Sequence, residues 1–314
     1  MDNLIFCLNA TVPIFLTMIA GIIFRKIGVF NENFVTKMNQ FVFKIALPVL
    51  LFQDISSADF YEVWDGRFVL YCFGVTLVSI VLILLLSFLL KERSLRGEFI
   101  QGAYRSSAAI LGIAFIQNIY GSAGMAPLMI IVSVPLYNMM AVLVLSIFST
   151  EKRKMDRTVW KETCWGIVTN PIIIGIAAGL VWSVFRIPQP TIMEKTVKNI
   201  AVLATPLGLM ALGGGFEIKQ AVNKIKLSAI CTLIKLVILP ALFLPLAIWM
   251  GFTESKLIAI LTMLGSATTV SSYVMAKNMG YDGVLSSSVV MMTTAVSAFT
   301  LTGWLYLLKW MALI

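Results

Sequence analysis

Ten runs of about twenty mostly apolar residues follow one another along the chain, and they limit what it can fold into. A helix of that length matches the hydrocarbon thickness of a bilayer. The 314 residues are 59% hydrophobic and only 12% charged, about half the charged fraction of a typical soluble domain. The sequence therefore predicts an all-α integral membrane protein. The predicted spans one to ten are residues 4–24, 34–55, 67–90, 98–119, 125–148, 163–185, 195–216, 227–250, 256–276 and 284–310.

The most charged segment, STEKRKMDRTVWKE at 149–162, separates two halves of five spans each, residues 1–148 and 163–314. We interpret this segment as a basic cytoplasmic linker. Lys and Arg are concentrated in the loops after odd-numbered spans, which predicts cytoplasmic odd loops and both termini on the outer side of the cell membrane. The net charge of +9 is therefore mainly an orientation signal, with attraction to anionic lipid as a second interpretation. It does not indicate nucleic-acid binding.

The two halves share spaced motifs that indicate an internal repeat. Prolines in spans one and two recur 158 residues later in spans six and seven, and an Asn at the end of span four recurs 160 residues later in span nine. The matching positions are Pro13 and Pro171, Pro48 and Pro206, and Asn118 and Asn278. Because each half has an odd number of spans, the second half must cross the membrane in the opposite direction. The sequence thus predicts two inverted five-helix repeats.

Two polar stretches stand at equivalent positions of the halves, RSSAAILGIAFIQN at 105–118 and GSATTVSSYVMAKN at 265–278. They predict broken helices in spans four and nine, whose N-terminal N–H groups and dipoles favour an anion near the midplane. The alternative is that small and hydroxyl residues only mediate helix packing or bond back to the i−4 carbonyl. The predicted substrate-binding residues are Ser106, Ser107, Asn118, Asn138, Ser266, Thr268, Thr269, Ser271 and Ser272. The predicted helix breaks or hinges are Gly112, Gly265, Pro48, Pro135 and Pro206.

Three basic residues lie inside predicted spans, where a charge is costly: Lys44, Arg105 and Lys235. Asp and Glu occur only near span ends, so the charged residues inside the spans are all basic. This asymmetry predicts an anionic substrate and disfavours proton coupling through a central carboxylate. We predict that Arg105 or Lys235 supplies the countercharge. The alternatives are snorkelling for Lys44 and Arg105 and neutralisation of a helix C-terminus for Lys235.

Other chemistry has little support in the sequence. There is no His, and the four Cys lie singly in apolar runs, so we predict no metal site and no cofactor. No nucleophile and base pair can be located, which disfavours an integral-membrane enzyme. The glycine run GLMALGGGFE at 208–217 lacks the GK[ST] of a phosphate loop and indicates close helix packing or a hinge.

The chain also resembles the auxin efflux carrier family, the bacterial PIN-like membrane transporters, over essentially its whole length. The resemblance rests on VPIFLTMIAGIIFRKIGVF, MNQFVFKIALPVLLF, VPLYNMMAVLVL and SSYVMAKNMGYDGVLSSSVVMMTT. It implies a scaffold of spans one, two, six and seven, and a mobile transport domain in which spans four and nine cross as broken helices. It also implies elevator-type alternating access of organic anions and a homodimer through the scaffold.

The sequence departs from the family pattern at both predicted breaks. Ser107 and Ala114 stand where members usually have Asn and Pro, and Ala267 stands where the span-nine Pro is usual. Softer breaks and a changed substrate or coupling are therefore expected.

These observations predict a secondary carrier for a small organic anion, a mono- or dicarboxylate that is auxin-like or malate- or malonate-like. One alternative is a sodium-coupled symporter of bile-acid-transporter type, which the absence of midplane acids disfavours. Another is a sensor or receptor that keeps the transporter fold without turnover.

Overall fold

The computed structural model describes residues 2–57, 65–108, 116, 119–120, 124–148, 165–166, 168–216 and 218–314. Within these ranges every regular element is helical. The α-helices are α1 (Asp2–Lys26), α2 (Glu32–Phe41), α3 (Leu47–Ser56), α4 (Gly66–Ser87), α5 (Arg96–Tyr104), α6 (Ala126–Ile147), α7 (Pro171–Val184), α8 (Thr191–Ala201), α9 (Ala204–Gly214), α10 (Ile218–Asn223), α11 (Ile225–Leu233), α12 (Leu239–Trp249), α13 (Glu254–Gly265), α14 (Ser271–Asn278) and α15 (Val284–Trp310). The predicted linker at 149–162 lies outside the described residues.

Six helical stretches in the described part of the chain are long and apolar enough to cross a membrane, and they correspond to predicted spans two, three, five, seven, eight and ten. Their bounds are Glu32–Ser56, Gly66–Ser87, Ala126–Ile147, Thr191–Gly214, Ile225–Trp249 and Val284–Trp310. The 25-residue α1 covers span one, and the shorter apolar α7 lies within span six. The helical membrane fold is thus confirmed. The count of ten spans and their inverted arrangement remain predictions.

Two of the long helices contain a π-helical segment immediately before a proline. Val42–Ala46 precedes Pro48, and Ile234–Ile238 precedes Pro240. A proline cannot donate to the carbonyl four residues earlier and its ring crowds that carbonyl, so a locally widened helix accommodates it. The carbonyl of Leu236, four residues before Pro240, instead accepts a hydrogen bond from the Trp304 indole at 3.0 Å.

The other predicted hinges differ from one another. Span seven is interrupted by a turn at Val202–Leu203, just before Pro206, where α8 gives way to α9. Pro135 does not interrupt its helix, because α6 continues through it from Ala126 to Ile147, and a hinge there remains a prediction. Fourteen buried residues pack α6 against its neighbours, and that packing holds the helix together around one missing backbone hydrogen bond.

Glycines allow two helix pairs to pack closely, α1 against α9 and α3 against α7. A Cβ atom on Gly213 would lie 1.9 Å from the Met18 carbonyl oxygen, and one on Gly175 would lie 2.5 Å from that of Pro48. Small residues at such positions let membrane helices approach to backbone contact. The glycine run of α9 is therefore a helix-packing surface, one of the two interpretations that its sequence allows.

Buried residues form two main cores. One comes from predicted spans three, four, five, eight, nine and ten, with the loops that join them. The other is built mainly from spans one, two, six and seven, together with residues of spans five, nine and ten that face them. The two breaks lie where these cores meet.

We expect Gly213→Ala to destabilise the fold, because the added methyl group forces α1 and α9 apart, at a cost of about 1–3 kcal/mol. Gly303→Ala in α15 is the matched control, since a Cβ there meets nothing within 4 Å. Thermal unfolding of the purified proteins in detergent should give a lower melting temperature for Gly213→Ala alone. Equal melting temperatures would contradict the close packing.

Candidate functional site

Two helices end in the interior of the bundle and their broken ends lie against each other. α5 stops at Tyr104, after which Arg105 is extended, and α13 stops at Gly265, after which Ser266 is extended. The Ser107 N–H donates to the Ala267 carbonyl at 2.8 Å and joins the two breaks. α14 then resumes at Ser271. Span nine is therefore broken where its polar stretch predicted, with Ala267 in place of proline.

Lys235 satisfies the C-terminal carbonyls of both broken helices. Its side chain is fully buried, and Nζ donates to the carbonyls of Tyr104 at 3.1 Å, Met263 at 3.3 Å and Leu264 at 2.6 Å. A cation favours helix C-termini, where the dipoles concentrate negative charge. All three ammonium protons are directed to backbone oxygens. We therefore assign Lys235 the capping role that was the alternative to a substrate countercharge.

Several of the predicted binding residues also stabilise the broken backbone. The hydroxyls of Ser106 and Tyr137 donate to the same Met263 carbonyl, and Thr268 Oγ1 donates to the Gly102 carbonyl at 2.8 Å. Ser272 Oγ donates to the Thr269 carbonyl at 2.8 Å. For Ser106, Thr268 and Ser272 the packing alternative therefore describes the contacts made. The Ser266 hydroxyl is buried and has no hydrogen-bond partner within the described ranges.

Arg105 is a completely buried cation with neutral partners. Nη2 donates to Asn138 Oδ1 at 2.8 Å and to Ser271 Oγ at 2.6 Å, and Nη1 lies near Gln101 Oε1 and Met275 Sδ. Among the described residues, Nε has no hydrogen-bond partner. No carboxylate of the described ranges is within ion-pairing distance of it. Arg105 therefore does not snorkel, whereas the Lys44 side chain is exposed.

A partly open cleft of about 30 Å³ adjoins the breaks. Its hydroxyl-bearing wall consists of Ser107, Thr205, Thr268, Thr269 and Thr294. The rest of the wall is mostly apolar and includes Ile14 and Leu209. Thr269 Oγ1 lies 3.2 Å from Ser271 Oγ, which accepts from Arg105. The buried cation is thus connected to the cleft wall through two hydroxyl groups.

The site differs in part from the sequence prediction. Asn138 orients Arg105 with its oxygen while its Nδ2 donates to the Val134 carbonyl at 2.8 Å. Gly265 ends α13, and a Cβ there would come within 3.0 Å of Pro240. The sequence prediction missed the cleft hydroxyls of Thr205 and Thr294, and it missed Gln101, although its position one turn before Arg105 was a usable signal. Gly112, Ala114 and Asn118 lie outside the described residues.

Residues 6–305 match the sequence profile of a family described as "Membrane transport protein", the auxin efflux carrier family. The chain belongs to this family. It is also 22% identical over 278 residues to a protein of Rhizobium meliloti (strain 1021) named "Putative malonate transporter", and the match covers 87% of this chain and 86% of the relative. Family membership indicates a transporter rather than an enzyme. In the described part of the chain no group of three or more His, Cys, Asp or Glu side chains could hold a metal ion.

We expect Lys235→Met to lower the melting temperature markedly, because the buried carbonyls of Tyr104 and Leu264 lose their donor, at about 1–3 kcal/mol for each unsatisfied group, while that of Met263 keeps its hydroxyl donors. Lys256→Met is the matched control. Lys256 pairs with Asp65 at 2.6 Å but is 38% exposed, and surface pairs of this kind contribute at most about 1 kcal/mol. Thermal unfolding of both variants checks the difference, and a Lys235→Met protein as stable as the control would refute the capping role.

Proposed function

We propose that this protein is a secondary carrier that moves a small organic anion, a mono- or dicarboxylate, across the cell membrane. The observation that carries the proposal is Arg105, which is buried beside a hydroxyl-lined cleft with no carboxylate partner among the residues that the structure describes. A buried charge without a partner is strongly destabilising, and charges inside membrane spans are functional candidates for that reason. An anion bound at the cleft would supply the missing negative charge.

The broken helix α14 adds to the attraction for an anion. Its N-terminus begins at Ser271, beside the cleft residue Thr269. N-terminal N–H groups and the aligned backbone dipoles favour negative charge there. The carboxylate would thus be held by the hydroxyls of Ser107 and Thr269, with Arg105 behind them.

The class of substrate follows from the lining of the cleft and from the comparison. Hydroxyls on one side and apolar side chains such as Ile14 and Leu209 on the other suit a carboxylate with a small uncharged body. The relative named for malonate supports a malonate- or malate-like acid. An auxin-like aromatic acid is the other substrate that the family resemblance suggests.

We propose elevator-type alternating access as the mechanism. The breaks, Arg105 and Lys235 belong to the elements that build the first core, whereas Ile14, Thr205 and Leu209 on the facing wall come from spans one and seven. A boundary between two separately packed bodies is where a shear motion is expected. In the proposed repeat, span one corresponds to span six and span seven corresponds to span two. The contact between spans one and seven is therefore equivalent to the contact between spans six and two. Both pairs are closely packed, which supports the inverted repeat.

Uptake of labelled malonate, malate and an indole carboxylate into proteoliposomes tests the proposal. We expect saturable uptake of at least one of these anions by the unmodified protein. Arg105→Met should reduce it at least tenfold, because the positive charge is lost, and Arg105→Lys should retain part of it, because the charge remains but the forked contacts to Asn138 and Ser271 do not. Arg67→Met, which removes an exposed arginine, is the control and should transport normally.

The outcomes separate the candidate functions. Loss of uptake in Arg105→Met with an unchanged melting temperature supports the carrier. Binding without flux in the unmodified protein would favour the sensor alternative. Equal uptake by Arg105→Met and Arg67→Met would contradict the role of Arg105.

We also propose that the odd-numbered loops face the cytoplasm. In a variant whose native cysteines have been replaced, Lys91→Cys in the loop after span three should react with an impermeant maleimide only after the cells are permeabilised. Thr253→Cys in the loop after span eight should react in intact cells, because it lies on the opposite side. Both positions are exposed, so the reverse pattern would invert the proposed orientation.

A further inference from the structure

Glu98 is a buried acid that the proposed carrier mechanism does not use. It lies in the first turn of α5 and is 1% exposed. One of its oxygens, Oε2, accepts a hydrogen bond from the Ser286 N–H at 2.8 Å, in the first turn of α15. The sequence places Glu98 at a span end, where exposure is expected, so its burial is evident only from the fold.

A second carboxyl group lies against Glu98. The Asp282 side chain is within hydrogen-bonding range of the Glu98 side chain, and Asp282 is exposed to solvent. Asp282 also accepts from the Val284 N–H at 3.0 Å. Two carboxyl groups in contact, one of them buried, repel each other when both are ionised, and a proton bound to Glu98 would remove that repulsion.

A hydroxyl group beside this pair lacks a partner. Ser286 Oγ is fully buried next to the Glu98 carboxyl and has no hydrogen-bond partner in the part of the chain that the structure describes. A proton on Glu98 would let its O–H donate to that oxygen. The unpartnered hydroxyl is therefore a second feature, separate from the acidic pair, that can accommodate a protonated Glu98.

The charged and titratable groups around the pair do not replace the proton. Cys231 and Tyr281 interact with Glu98 and are neutral near physiological pH. Lys277 directs Nζ to the Asp282 carbonyl at 3.0 Å, and Arg96 donates to the carbonyls of Phe88 and Leu90. In the ranges that the structure describes, Glu98 therefore has no cationic partner.

We propose that Glu98 and Asp282 form a proton-binding site that is coupled to anion binding at Arg105. The proton enters from solvent at exposed Asp282 and adds to a carboxylate oxygen, so the pair changes from two negative charges to one and no other bond changes. The coupling, though not the proton site, rests on the proposed carrier function.

The coupling is electrostatic and follows from one face of α5. Glu98, Gln101 and Arg105 are spaced by three and four residues and lie along the same side, so Glu98 is roughly 10 Å from Arg105. An ionised Glu98 partly compensates the Arg105 charge and weakens its attraction for an anion. Protonation removes that compensation. At an effective dielectric constant of about 20, the loss of the Glu98 charge changes the affinity for the anion on the order of tenfold. By linkage, the bound proton and the bound anion each strengthen the binding of the other.

Infrared difference spectroscopy of the purified protein tests the proton site without any substrate. We expect a carboxylic-acid C=O stretching band near neutral pH that disappears at high pH in the unmodified protein and is absent in Glu98→Gln. Glu194→Gln, which removes an exposed glutamate, should keep the band. The same spectrum in the unmodified protein and Glu98→Gln would overturn the proposal.

Malonate binding at several pH values tests the coupling. Glu98→Gln imitates the protonated state, so its affinity should equal that of the unmodified protein at low pH and exceed it about tenfold at high pH. Malonate titrates identically for both proteins, and their ratio therefore reports on the protein alone. A ratio that stays constant with pH would overturn the coupling. If the unmodified protein neither binds nor transports carboxylates, the carrier proposal fails, while the infrared result still decides the proton site.

Discussion

The rest of the structure depends on hydrogen-bond donors for the helix ends that lie in the interior of the membrane protein. Where a helix stops away from water, its last carbonyls have no intrahelical donor, and each costs several kcal/mol unless another group pairs with it. Lys235 gives this compensation for α5 and α13 together, through one ammonium group on the π-helical segment of span eight. The hydroxyls of Ser106 and Tyr137 also donate to the Met263 carbonyl, which lies beside the helix breaks.

This arrangement separates two cations that look equivalent in the sequence. Lys235 faces backbone oxygens at helix C-termini, which already carry partial negative charge, so it needs no further anion. Arg105 faces an amide, a hydroxyl and a thioether, none of which carries a charge. Both side chains are equally buried, so the difference in their roles follows from the charge of their hydrogen-bond partners.

The parts of the fold that sequence could predict are those with local causes. Apolar runs placed the long helices, and the polar stretch after Gly265 placed the span-nine break, because both follow from the cost of polar backbone in hydrocarbon. The partners of the hydroxyls could not be predicted in the same way. Thr268 bonds to Gly102 and Ser106 bonds to Met263, more than 150 residues away in each case, so only the tertiary structure distinguishes packing from binding.

The contacts at the breaks also bear on how the proposed movement could occur. The hydrogen bonds of Lys235 and Arg105 all run to residues of spans four, five and nine, although one partner, Met275 of α14, packs in the second core. Those elements could therefore shift as a body without breaking a buried polar contact of either cation. The facing wall is different, because apart from the Thr205 hydroxyl it presents the apolar side chains Ile14 and Leu209, which lose only non-directional contacts when a surface slides past them. Glycine-mediated packing of α1 on α9 and of α3 on α7 keeps that wall rigid. A polar, internally bonded site beside a mostly apolar wall is an arrangement that would keep the energetic cost of the proposed elevator motion low.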